Sequence, residues 1–109
     1  MAPKNLVVKG PKFLSPGDEK AFFDWLREIP CVDEVTGVSQ NLQITFRRQP
    51  GNQHLRELVA LFYRYRMTMK PLAALKTGRN AAWFAGNMNA FWYARVFGDP
   101  EAGSAADSG

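Results

Sequence analysis

Val32-Asp-Glu-Val-Thr-Gly-Val-Ser-Gln-Asn-Leu-Gln-Ile-Thr-Phe46 is the stretch whose reading decides the fold. Leu42, Ile44 and Phe46 alternate with Gln43 and Thr45. A period of two belongs to a strand with one buried and one wet face. The stretch reads as two strands, with Gly37 expected at a bulge and Gln40-Asn41 at the hairpin turn.

Upstream the pattern changes. Ser15-Pro-Gly-Asp18 starts a helix: Ser15 can accept the Asp18 N–H, Pro16 suits the first helical position, and Asp18 and Glu19 favour the positive end. Phe22, Trp25, Leu26 and Ile29 recur at helical spacing as a core stripe, with Trp25 its largest ring, and Pro30 ends the helix near Glu28 or Ile29. Before it, Asn5-Leu-Val-Val-Lys9 has the β-branched content of a short strand, closed by Gly10-Pro11.

Downstream, Arg47 to Asn52 is a loop with Asn52 as a candidate N-cap. A second helix is expected from Gln53 to Met67, its inner face formed by Leu55, Leu58, Val59, Phe62 and Tyr65 and widened by Leu61. Pro71 must redirect the chain. Thr68 is expected to cap a third helix ending at Gly78, and Asn80–Ala85 and Asn89–Phe97 predict two further helical pieces. The order β-α-β-β-α, followed by short helices, predicts an α+β domain over residues 1–98: a small, mainly antiparallel sheet covered on one face by the two longer helices. Residues 99–109, rich in Gly, Ser, Ala and acid, predict a disordered tail.

A chain of 109 residues, 46% hydrophobic, can bury one core without staples. No apolar run reaches the roughly 20 residues of a membrane span, so no membrane partner is expected. The start carries too short an apolar run for a secretory signal, and the lone Cys31 suits a reducing compartment. The expected location is cytoplasmic. Charge is distributed unevenly. Six acids face two bases from Asp18 to Glu34, whereas nine bases face Glu57 alone from Arg47 to Arg95. That asymmetry predicts an electropositive C-terminal face.

The stretch Phe62-Tyr-Arg-Tyr-Arg66 lies in this basic half. At 100° per residue, Phe62 and Tyr65 fall on the core side of the helix. Arg56, Ala60, Tyr63, Met67 and Lys70 fall on the opposite side, each within about 40° of Arg56, flanked by Arg64 and Arg66. Such a face is either solvated, with basic stems covering apolar surface, or a binding strip in which Tyr63 is exposed between guanidinium groups. The candidate partner-binding residues are therefore Arg56, Tyr63, Arg64 and Lys70, extended by Arg47 and Arg48.

Other constellations carry less. Trp83, Phe84, Phe91, Trp92, Tyr93 and Phe97 read as core or lid packing, with one of Trp83, Trp92 and Tyr93 the candidate for an exposed anchor. Asn80, Asn87 and Asn89 read as caps. Asp24, Glu28, Asp33 and Glu34 read as a solvated acidic face, because nothing buries one acid and leaves its neighbour exposed. His54 and Cys31 cannot build a zinc site alone, and no phosphate-cradling loop or nucleophile elbow is present. No metal, cofactor, small-molecule substrate or catalytic activity is expected. The leading expectation is a non-catalytic module that engages one protein partner, of inhibitor, immunity or regulatory type, through the basic-aromatic helix face. The alternative is a nucleic-acid-binding protein using the Arg-rich region 47–95.

Overall fold

A computed structural model describes residues 5–98. The tail expected over 99–109 lies outside them. The elements are β1 (Asn5–Lys9), α1 (Pro16–Glu28), β2 (Val32–Val38), β3 (Asn41–Phe46) and α2 (Asn52–Arg64). A 3-10 turn (Lys70–Leu75) follows, then α3 (Ala81–Phe84) and α4 (Tyr93–Phe97). The fold is α+β, as the alternation of Leu42 to Phe46 and the β-α-β-β-α order predict.

Three strands form an antiparallel sheet in the order β1-β3-β2. Leu6 faces Ile44 and Val8 faces Leu42 across the β1–β3 pair, and all four side chains are buried. A period-two pattern on both strands allows no slip of register without turning these residues to water.

The bulge is not at Gly37, which pairs regularly with Leu42. The register shifts between Val32↔Phe46 and Glu34↔Thr45, leaving Asp33 as the extra residue. The cause is the spacing of apolar residues. Val32 and Val35 are three apart, and strand alternation cannot place both inside unless one residue is inserted between them. The hairpin turn is Ser39-Gln40, one residue earlier than expected, because Val38 pairs directly with Asn41. Ser39 takes φ 61, a left-handed first turn position where glycine is usual.

α1 begins as its sequence predicts. Ser15 Oγ accepts the Asp18 N–H at 3.1 Å, and Asp18 in turn accepts the Leu14 N–H at 3.0 Å. Phe22, Leu26 and Ile29 are buried, but Trp25 is only half-buried, its Nε1 donating to Glu57 of α2 at 2.9 Å. The largest core ring of α1 is therefore Phe22, which meets Tyr65 edge-on at 4.9 Å.

α2 is shorter than expected. Its N-cap is Gly51 rather than Asn52, and it ends at Arg64. The Met67 N–H reaches back to the Phe62 carbonyl at 2.9 Å, and the Arg66 N–H to the Tyr63 carbonyl at 3.1 Å. This pair of bonds is a Schellman stop, with Arg66 at φ 55 in the left-handed position that glycine ordinarily fills. The stop folds Met67 back onto the core, where it is 4% exposed. Met67 is thus a core residue, not part of a surface strip.

The last third forms a small aromatic layer on the same core. Thr68 does not cap the next turn, which starts after Met69 and ends at Leu75, short of Gly78. Asn80 precedes α3 but does not cap it. Its Nδ2 donates to the Leu75 carbonyl at 3.0 Å and its Oδ1 accepts the Thr77 N–H at 2.8 Å, so it ties the connecting turn from within. Asn87 Oδ1 accepts the Asn89 N–H in a local turn, and α4 begins only at Tyr93. Trp92 is buried and donates its indole N–H to the Phe84 carbonyl at 2.9 Å. Phe84 meets Phe97 at 4.9 Å, which joins α3 to α4.

Candidate functional site

The six predicted contact residues do not form one strip. Arg47 donates Nη2 to the Val32 carbonyl at 3.0 Å and lies 3.6 Å from Asp33, so it braces the β2 bulge. Arg48 is exposed in the loop after β3. Arg56 lies 4.0 Å above the Trp83 ring and fastens α2 to α3. Lys70 has left the helix axis. Its Nζ donates to the Gly98 carbonyl at 2.9 Å, holding the end of α4 against the 3-10 turn. The Schellman stop after Arg64 breaks the helical arithmetic on which a strip through Met67 and Lys70 depended.

Tyr63 and Arg64 lie elsewhere, with residues drawn from three elements. Trp25 of α1, Ala60, Tyr63 and Arg64 of α2, Arg66 of the stop, Phe91 of the α3–α4 loop and Arg95 of α4 line a cleft of about 680 Å³. Tyr63 is 39% exposed and Phe91 51%. Their rings meet edge-on at 4.6 Å, and the Arg95 guanidinium lies 4.9 Å from the Tyr63 ring on its other contact. Tyr63 is thus held between an aromatic edge and a cation, a favourable arrangement for a ring kept partly in water.

Phe91 is the exposed aromatic of the C-terminal layer. Trp92 is buried, and Trp83 and Tyr93 are half-buried. The exposed ring expected among those three is therefore their neighbour. The apolar spacing of α1 does not show that Trp25 turns its indole N–H to Glu57, because that bond joins residues far apart in the chain. Arg66 and Phe91 are legible only as a flank of the helix face and a member of the aromatic cluster, and Arg95 only as one base of the basic half, because their meeting depends on the Schellman stop and on the aromatic layer.

The titratable groups outside the cleft favour structural roles. Cys31 is fully buried, and burial pushes its thiol pKa up, the reverse of the shift that activates a nucleophilic thiolate. Burial, with Asp18 nearby, also pushes the Tyr65 phenol up. Among the described residues no three His, Cys, Asp or Glu side chains come together as metal ligands, and no helix is long and apolar enough to cross a membrane. Compared with protein-family models, curated proteins and solved structures, the chain matches none.

Proposed function

We propose that the protein is a small non-catalytic binding module that engages one protein partner, in an inhibitory or regulatory role, through the cleft between α1, α2 and α4. The observation that carries this reading is the cleft's composition: three aromatic rings and three arginines converge there. Tyr, Trp and Arg dominate interface energetics because they offer large contact area with a polar end, and they act most strongly when clustered. The cleft's size, within the roughly 300–1,000 Å³ of ordinary binding sites, accommodates a short protruding segment of a partner.

The test is affinity capture from the native lysate with the full chain as bait, with and without nuclease, beside Tyr63→Ala and Phe91→Ala. A protein retained by the parent after nuclease treatment and lost by both variants supports the reading. Capture that vanishes with nuclease, or that is indifferent to both rings, overturns it.

A further inference from the structure

Arg64, Arg66 and Arg95 share the cleft with Trp25, Tyr63 and Phe91, and its lining contains no acidic side chain. Ion pairs among the described residues lie elsewhere, Lys20 with Asp24 and Arg47 with Asp33. A guanidinium without an internal carboxylate keeps its planar fork of donors for an external one.

Arg66 adds an independent observation. A left-handed backbone disfavours any side chain with a Cβ, yet an arginine stands where glycine would close the helix more easily. Strain retained at a cleft residue points to use of its side chain.

We infer that the cleft receives an acidic segment of the protein partner, its carboxylates paired with Arg64, Arg66 and Arg95 and one apolar side chain set against Tyr63 and Phe91. The inference rests on the protein-binding reading above. Charge complementarity selects the acid, and the exposed rings select the apolar neighbour. A nucleic acid fits less well, because strands are held along a basic track. Here Arg47, Arg56 and Lys70 are each engaged within the fold away from the cleft, and Arg64, Arg66 and Arg95 converge on one place instead of forming a track.

The experiment is calorimetric titration of the full chain with a capped hexapeptide of alternating glutamate and leucine. Its glutamine-for-glutamate analogue and a single-stranded oligothymidylate serve as comparisons. Saturable binding of the glutamate peptide, weakened about tenfold or more in the glutamine analogue and in Arg64→Gln, supports the proposal. Arg66→Gly should weaken binding similarly while melting at or above the parent temperature, which separates lost contact from lost fold. Equal binding of the glutamine and glutamate peptides overturns the acidic inference but leaves a protein-binding cleft. No saturable binding by about 1 mM peptide, in the range of the weakest specific contacts, overturns the acidic inference as well. Binding of oligothymidylate alone overturns both.

Discussion

At Trp25 and Phe22, three residues apart in α1, similar chemistry has different consequences. Phe22 is fully buried between Phe13, Phe23 and Tyr65, and truncation would leave a cavity the core cannot close. Phe22→Ala is expected to cost about 3–5 kcal/mol, measured by urea denaturation. Trp25→Ala removes a half-buried ring and one bond to exposed Glu57, so a smaller loss of about 1–2 kcal/mol is expected. A helical wheel places both inside, because periodicity gives direction and not depth. Cys31, a small apolar side chain at the junction of α1 and β2, is fully buried. Its raised pKa has a sign that can be checked. The native state keeps the thiol protonated, while the unfolded chain ionises above the ordinary 9.0. Its contribution to stability is thus constant below that value and lost as pH rises above it. Urea midpoints at about pH 7 and about pH 10 should fall further for the parent than for Cys31→Ala.

Among the elements, what could be read in advance were those whose signal is local. The alternation in β3, the Ser15–Asp18 start of α1 and the inner face of α2 each need only a few neighbouring residues, and each forms as its pattern requires. The misplaced features depend on partners far along the chain. The Asp33 bulge satisfies the register with β3, and Met67 turns inward because a Schellman stop forms at an arginine. Asn80 shows the same contrast. An Asn before a short apolar run resembles a cap, but here the amide holds Leu75 and Thr77. Asn80→Ala would strand a carbonyl and an N–H beside a side chain 2% exposed. The expected loss is about 2–4 kcal/mol, since an unmet buried partner costs more than a hydrogen bond gains. A cap in a four-residue helix would cost about 1 kcal/mol, so the denaturation midpoint separates the two roles.

Over the whole molecule, the cleft exists because α1, α2 and α4 meet on one core, and that is why the sequence placed only Tyr63 and Arg64 of its lining among the contacts. The basic balance of the C-terminal half was legible from counting, but its destination was not, since Arg47, Arg56 and Lys70 are drawn into the fold. This division yields a prediction about salt. If recognition is by a protein partner at the cleft, few charges are neutralised and the apolar contacts with Tyr63 and Phe91 are indifferent to ionic strength. Affinity should then fall only modestly with added salt, and Tyr63→Ala should weaken it more than any salt step. Arg64→Gln should weaken affinity about tenfold and mainly speed dissociation, because it removes one partner of a paired carboxylate. A chain that bound nucleic acid through the nine bases from Arg47 to Arg95 would behave otherwise, with log affinity falling by about 0.9 per neutralised phosphate against log salt. Titrations of the captured partner at several salt concentrations measure that slope. A value approaching the number of free cations would mean that the basic half acts as a field, whereas a shallow slope with a steep Tyr63 effect would mean that it acts as a site.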